Sequence, residues 1–258
     1  MADLAGRLWR MSATGLCFIV FGLGGVIGRV LIFPLLRIVV RDERRRVLLA
    51  RRLIRAAFCA FVALMRGLGV ISVEVHGRER LQRHGMLILS NHPSLIDVVL
   101  LMAMIDRADC IVKSALAHSP FTSGPVRAAG FVFNDTGAGL VDDCIRSVRA
   151  GHNLIVFPEG TRTPRGGPMQ LQRGSANIAL RGGLDITPVR IRVTPPTLSK
   201  GEPWYRVPPR RAHFVVEVDP DIPIADFAPS PGREAVAARR LTDHLTQYFS
   251  RKPAHGTA

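Results

Sequence analysis

One short segment carries the residue types that general acid–base chemistry needs. Residues 90–97 read Ser-Asn-His-Pro-Ser-Leu-Ile-Asp, so that His92 precedes Asp97 by five residues. The pattern predicts a strand over 86–90 and a helix after residue 94, with His92 in the turn between them. An acid in the first turn of that helix can hydrogen-bond the imidazole and stabilise its protonated form, as a general base requires.

The same acid also has a purely structural interpretation. Ser94 is predicted to cap the helix, and Asp97 stands three residues later, where the acid of a capping box belongs. A histidine and an aspartate at this spacing are a weak pattern by themselves. The segment alone therefore leaves catalysis and helix capping both open.

A second polar motif follows about sixty residues later. Residues 156–162 read Val-Phe-Pro-Glu-Gly-Thr-Arg, at the end of another predicted strand. A tight turn there brings Glu159 and Arg162 to the carboxyl edge of a sheet, where open α/β sheets bind ligands. An arginine guanidinium can bind two phosphate oxygens at once. The alternative is a surface turn with a Glu–Arg ion pair.

Together these motifs resemble those of a known enzyme family. NHPSLID followed by FPEGTR is similar to the pattern of the glycerophospholipid acyltransferases, which include 1-acylglycerol-3-phosphate acyltransferases. Two further blocks resemble the family in the same order, KSALAHSPFTSGPVRAAGFVF at 113–133 and RGSANIALRGGLDITPVRI at 173–191. The resemblance covers roughly residues 70–195.

The resemblance implies a reaction and a set of roles. A fatty acyl chain would pass from acyl-CoA or acyl carrier protein to the free hydroxyl of a lysophospholipid, first of all 1-acyl-sn-glycerol-3-phosphate. His92 would remove the hydroxyl proton and Asp97 would orient it. The acceptor would be bound by Glu159, Gly160 and Arg162. No metal or cofactor besides the acyl donor is indicated.

Two positions near the second family block carry separate expectations. Lys113 ends a predicted strand and would be either an oxyanion donor or a solvated lysine. Members of the family usually carry an arginine for the acceptor phosphate where this sequence has Asp135. The reversed charge makes another lysolipid, or a lipid-linked metabolite without that phosphate, an alternative acceptor.

The elements that must position these residues alternate along the chain. Short β-branched runs separated by helical stretches predict an α/β domain over 70–250, a mixed and largely buried sheet flanked by helices. The resemblance implies the glycerol-3-phosphate acyltransferase type of this fold. The residues from 251 to 258 are predicted to be a flexible tail. Strands are predicted at 71–75, 86–90, 110–112, 131–133, 154–157, 186–193 and 214–218, and helices at 96–105, 139–149, 171–181 and 234–249.

Residues 1–69 are predicted to anchor the chain to a membrane. Residues 11–28 are uncharged, and apolar sequence continues to residue 40. This length is near the minimum for a spanning helix, so the segment either crosses the bilayer or only dips into it. Residues 41–66 predict a basic amphipathic helix on an anionic bilayer, or a solvated charged face over a core stripe. Its basic face would comprise Arg41, Arg44, Arg45, Arg51, Arg52, Arg55 and Arg66.

The net charge of +15 sits mostly beside this apolar segment. Residues 1–80 hold 14 basic and 5 acidic residues, a net charge of +9 in under a third of the 258-residue chain. This placement favours anionic lipids as partners over nucleic acid, for which no binding motif is present. Basic residues cluster after the apolar run, which predicts a catalytic domain on the cytoplasmic side of the cell (inner) membrane. A catalytically idle lipid-binding relative is the remaining alternative.

A proline-rich segment, residues 194–211, stands apart from the predicted helices and strands. Its five prolines exclude a helix or a central strand. Trp204 and Tyr205 lie beside several arginines, so they either seat in a lipid interface or belong to an ordinary exposed loop.

Overall fold

The sheet predicted from the sequence is present, with seven strands. The computed structural model describes residues 2–134, 137–164 and 169–251. The strand order across the sheet is β1-β7-β6-β2-β5-β3-β4. Each predicted strand matches an observed one within two residues at either end. The strands are β1 (Ile71–His76), β2 (Leu87–Ser90), β3 (Ala108–Val112), β4 (Val132–Phe133), β5 (Asn153–Val156), β6 (Ile186–Thr194) and β7 (Ala212–Val218).

Neighbouring strands run parallel except for one pair. β6 and β7 are antiparallel, which makes the sheet mixed, as predicted. β2 and β5 are parallel central neighbours, with Leu87 paired to Leu154 and Leu89 paired to Val156. Their carboxyl ends therefore reach the same edge of the sheet, and this edge carries both polar motifs.

Helices cover both faces of the sheet. They are α1 (Ala2–Ile27), α2 (Phe33–Val39), α3 (Glu43–Gly67), α4 (Asp97–Met104), α5 (Ser123–Ala128), α6 (Leu140–Arg149), α7 (Arg173–Gly182) and α8 (Glu234–Ser250). Ile88 of β2 faces α3 and α4, whereas its neighbours Leu87 and Leu89 face α6, α7 and α8. This alternation follows from the two-residue period of a strand. The four helices predicted after residue 70 are confirmed, and α5 was not predicted.

The apolar amino-terminal segment is one long helix. A π-helical turn, Gly28–Ile32, joins α1 to α2, and the stretch Leu4–Val39 is long and apolar enough to cross a membrane. Many of its large apolar side chains are exposed, among them Ile19, Leu23 and Val30. Such a surface is suited to lipid.

Close contacts hold α1 along its length against the end of α3 and against loops of the sheet domain. Trp9 donates its indole N–H to the carbonyl oxygen of Leu68 at 3.0 Å. A Cβ atom built on Gly25 would lie 1.9 Å from the carbonyl oxygen of Phe121, so only glycine fits there. Similarly, a Cβ atom on Gly124 would lie 2.5 Å from Cα of Arg29.

Helix α3 confirms the predicted helix but corrects the predicted role of one arginine. Arg51, assigned from the sequence to a lipid-facing basic surface, is buried. Its Nη2 atom lies 2.9 Å from Oδ2 of Asp109, and its Nε–H donates to the carbonyl oxygen of Ala129 at 2.9 Å. The prediction failed because the acid that neutralises Arg51 lies 58 residues away in the sequence. The neighbouring Arg44, Arg45 and Arg52 are exposed.

Candidate active site

The two polar motifs lie side by side at the carboxyl edge of β2 and β5. Asn91, the first residue after β2, fixes the turn that follows. Its side-chain oxygen accepts the N–H of Ile191, and its amide nitrogen donates to the carbonyl oxygen of Ile191, both at 2.8 Å. This pair of bonds joins the turn to β6. Asn91 carries no local signal in the sequence, because its partner lies on a strand 100 residues away.

His92 and Asp97 form the predicted pair. Nδ1 of His92 lies 2.9 Å from Oδ2 of Asp97. The aspartate is fully buried, whereas the histidine side chain remains 15 % exposed. The imidazole stacks on the ring of Phe157, with ring centroids 4.3 Å apart. Because Nδ1 faces the carboxylate, Nε2 is the nitrogen left for a reactant.

The capping prediction is only half right. Asp97 accepts the backbone N–H of Ser94 at 2.6 Å, as the acid of a capping box does. However, α4 begins at Asp97 with Ile96 in the cap position, and no side chain caps it. The hydroxyl of Ser94 is buried and has no hydrogen-bond partner within the described part of the chain. The capping role assigned to Ser94 is therefore wrong, while Asp97 serves both the backbone and His92.

Burial dominates the electrostatics of Asp97. It raises the pKa of the carboxyl group above its ordinary value, because the charged form loses its hydration. The hydrogen bonds from His92 and Ser94 oppose this shift, and the nearby negative charge of Glu159 adds to it.

The second motif forms the predicted tight turn. Gly160 donates its N–H to the carbonyl oxygen of Phe157 at 2.9 Å and has a φ of 65°, a conformation that favours glycine. The carbonyl oxygen of Pro158 accepts the N–H of Gln172 at 2.7 Å, which joins the turn to the start of α7. Gly160 itself is exposed at the edge of the sheet.

Glu159 and Thr163 hold the backbone of His92. Oε1 of Glu159 accepts the N–H of His92 at 3.1 Å and the hydroxyl of Thr163 at 2.6 Å. The Thr163 hydroxyl oxygen also lies 3.2 Å from the His92 nitrogen, and the Thr163 N–H donates to the His92 carbonyl oxygen at 2.7 Å. The structure thus places Glu159 at the predicted edge of the sheet, where it is buried and bound to the backbone of His92. Thr163 was missed, although its place next to Arg162 in the motif was a signal.

Arg162 points toward the proline-rich segment. Its Nη1 atom donates to the carbonyl oxygens of Leu198 and Ser199 at 2.9 and 3.1 Å. Leu198 also accepts the N–H of Leu95, next to the His92 turn, at 3.1 Å. One guanidinium nitrogen is thus occupied by backbone, so a ligand would have to use the remaining nitrogens.

Comparison with known proteins identifies the family of the chain. A sequence profile of the Acyltransferase family matches residues 72–192, which include both polar motifs. A putative 1-acyl-sn-glycerol-3-phosphate acyltransferase of Caenorhabditis elegans is 30% identical over 182 residues, 67% of this chain and 61% of that protein. The chain belongs to the acyltransferase family.

Other similar proteins differ in the acceptor that their names give. The Lyso-ornithine lipid O-acyltransferase of Rhodobacter capsulatus is 27% identical over 197 residues, 66% of this chain and 68% of that protein. The crystal structure of the acyltransferase PlsC from Thermotoga maritima superimposes with a TM-score of 0.63 at 19% identity, covering 95% of this chain and all of that one. This likeness shows the fold. The chain spans only about half to three fifths of the first curated relatives.

The remaining predicted positions of the chain lie apart from His92 or outside the described residues. Lys113 directly follows β3, one strand beyond β5, and its side chain is exposed with no hydrogen bond or ion pair within the described ranges. Asp135 lies outside the described residues, as do residues 252–258 of the predicted tail. Among the described residues, no three His, Cys, Asp or Glu side chains are grouped to hold a metal ion.

Proposed function

We propose that the chain is a membrane-bound O-acyltransferase that moves a fatty acyl chain from acyl-CoA or acyl carrier protein to the free hydroxyl of a lysophospholipid. The observation that carries this proposal is the 2.9 Å contact between Nδ1 of His92 and Oδ2 of Asp97. The contact holds one imidazole tautomer and leaves Nε2, on a partly exposed ring, to accept a proton.

The reaction needs no acyl-enzyme intermediate. The acceptor hydroxyl attacks the thioester carbonyl carbon as its proton passes to Nε2 of His92, and the carbon–sulfur bond then breaks. The imidazolium, stabilised by Asp97, returns the proton to the departing thiolate. Ser90 and Ser94, the two hydroxyl residues of the motif, are fully buried and so are not placed for attack on a large donor. Backbone N–H groups of the turns, or Lys113, are the candidates for stabilising the oxyanion.

Two acceptors follow from different observations. The names of several relatives favour 1-acyl-sn-glycerol-3-phosphate, with the turn of Glu159, Gly160 and Arg162 next to its phosphate. A lysolipid without a phosphomonoester is the second candidate. It is supported by the bonds that occupy Nη1 of Arg162, by the acidic Asp135 and by the likeness to a lyso-ornithine lipid acyltransferase.

The contacts of α1 support a position of this helix within one leaflet of the bilayer. The helix touches the end of α3 and loops of the sheet domain between Trp9 and Arg29, about 30 Å at 1.5 Å per residue. A helix held lengthwise in this way does not cross the bilayer independently of the domain. We therefore propose that α1 lies in the cytoplasmic leaflet of the cell (inner) membrane, with the anionic lipids as partners of the exposed arginines.

The test is acyl transfer by the purified full chain in anionic vesicles. Labelled acyl-CoA and acyl carrier protein are each offered with a panel of lysolipids with and without a phosphomonoester. Transfer to 1-acyl-sn-glycerol-3-phosphate supports the first acceptor, and a preference for lysolipids without that group supports the second. Absence of transfer to every lysolipid, with the protein folded, contradicts the proposal.

A further inference from the structure

The proline-rich segment connects the candidate active site to the apolar helix. At its start, the carbonyl oxygen of Leu198 binds Arg162 and the backbone of Leu95. Further along, the ring of Trp204 lies 5.8 Å from the ring of Phe18 on α1. The neighbouring Gly15 makes room for it, since a Cβ atom there would lie 3.3 Å from Trp204 Cζ3.

The tip of this segment is formed by two exposed aromatic residues. Trp204 is 45% exposed and Tyr205 is 58% exposed, and their rings pack edge to face at 5.9 Å. The chain has only two tryptophans and two tyrosines, and one of each is adjacent here. Exposing both rings to water is unfavourable unless another phase covers them.

Two properties of the surroundings identify that phase. The aromatic tip packs against α1 at Gly15 and Phe18, and the adjacent residues Leu16 and Ile19 are exposed apolar residues of the same helix. Residues 194–211 contain the basic residues Lys200, Arg206, Arg210 and Arg211 against the single acid Glu202. Tryptophan and tyrosine favour the polar boundary of a bilayer, and arginines beside them attract anionic headgroups.

We propose that Trp204 and Tyr205 insert into the headgroup region of an anionic bilayer, as a second membrane contact beside α1. The proposal rests on the proposed seat of α1 in one leaflet. The membrane would then hold one part of the proline-rich segment, while Leu198 in the same segment binds Arg162 and the backbone of Leu95 beside the His92 turn. The catalytic edge is thereby kept at the bilayer surface, where a lysolipid acceptor resides.

The two tryptophans of the chain make the proposal directly testable. The Trp9→Phe variant leaves Trp204 as the only tryptophan. Its emission is measured on phosphatidylglycerol vesicles with and without lipids brominated near the carbonyl end of the acyl chains, and with iodide in the water. We expect a blue shift, quenching by bromine and protection from iodide on vesicle binding.

Cosedimentation separates the possible failures. If the protein binds vesicles but the emission of Trp204 is unchanged and iodide still quenches it, the insertion of Trp204 is contradicted. The proposed position of α1 in one leaflet is then unaffected. No cosedimentation contradicts both proposals. A third outcome is that iodide does not quench Trp204 even without vesicles, at protein concentrations where light scattering shows association. This result would indicate that another protein molecule covers Trp204, and it would overturn the insertion.

A substitution series gives an independent measure. Replacing both Trp204 and Tyr205 by serine is expected to weaken the vesicle partition coefficient about 10-fold or more, because two large rings are withdrawn from the interface. The matched control is Val236→Ser, which alters an exposed apolar residue on α8. Equal partition of the double variant, the control and the unaltered chain would overturn the proposal.

Discussion

The backbone N–H of Thr163 donates to the carbonyl oxygen of His92 at 2.7 Å, while its hydroxyl bridges the His92 N–H and the Glu159 carboxylate. The second polar motif therefore positions the candidate base through its main chain. Glu159 depends on this bridge, because its Oε2 atom is buried with no hydrogen-bond partner within the described ranges.

Thr163→Val is expected to lower kcat about 10-fold with little change in KM for either substrate. Valine keeps the backbone bond but removes the hydroxyl from a buried carboxylate, a loss on the order of 1–2 kcal/mol. Thr163→Ser restores the hydroxyl and should restore most of kcat. Steady-state kinetics check this split. If the serine variant is as slow as the valine variant, or only KM changes, the positioning role is wrong.

Asp97→Asn is expected to separate activity from stability. The neutral side chain no longer stabilises a protonated His92, so kcat should fall by roughly 10³-fold or more. Because burial raises the pKa of Asp97, the folded protein binds this proton more tightly than the unfolded chain does. The stability contributed by the group is therefore greatest in acid and declines as pH rises through the folded pKa.

The Asp97→Asn variant lacks the loss of stability that deprotonation of Asp97 causes as pH rises. Its free energy of unfolding, relative to the unaltered chain, should increase as pH rises from about 4 toward neutrality. Denaturant titrations at several pH values measure the difference, with Asp226→Asn as a control at an exposed residue outside the site. A pH-independent difference would contradict the raised pKa.

Gly25→Ala is expected to loosen α1 from the sheet domain. The new methyl group would collide with the carbonyl oxygen of Phe121, whereas a Cβ atom on the adjacent Gly24 meets nothing within 4 Å. Gly24→Ala is thus the matched control and should gain up to about 1 kcal/mol of helix propensity. Hydrogen exchange in α5 should accelerate in the first variant alone. Equal exchange in both variants would show that this contact does not hold α1.

Arg51→Met is expected to destabilise the fold by about 3–5 kcal/mol. It leaves the buried Asp109 carboxylate without its cationic partner, although bonds from Ser147 and Cys110 remain. Arg52→Met changes an exposed neighbour on the same helix and should cost little. Chemical denaturation of both variants measures the difference. Similar unfolding midpoints would mean that the ion pair contributes little.

Local pattern was sufficient to predict most of the framework. The sequence pattern predicts strands β2 and β5 and the turns that follow them. Because β2 and β5 are parallel neighbours, these turns lie at the same edge of the sheet, and His92, Asp97 and Glu159 are close together there. The fold class and all seven strands follow from the same short-range signals. The prediction that Ser94 caps the helix is wrong because α4 begins a few residues later, at Asp97. The Asp97 carboxylate accepts the backbone N–H of Ser94 instead.

Contacts between distant segments could not be predicted in this way. Arg51 has the spacing of a surface arginine, and only Asp109 on β3 shows why it turns inward. The segment 194–211 has no periodicity, so its contacts with Arg162 and Phe18 carry no local signal. These long-range contacts attach α1 and α3 to the domain and connect the membrane-facing surface to the site.

The most direct test of the account is the rate of acyl transfer by His92→Ala. The control is His84→Ala, which alters an exposed histidine outside the site. With labelled acyl donor and a lysolipid accepted by the unaltered chain, we predict that the first variant loses activity by about 10²–10⁴-fold while its thermal unfolding is retained. The control should keep full activity. A folded His92→Ala variant with the activity of the control would contradict His92 as the general base.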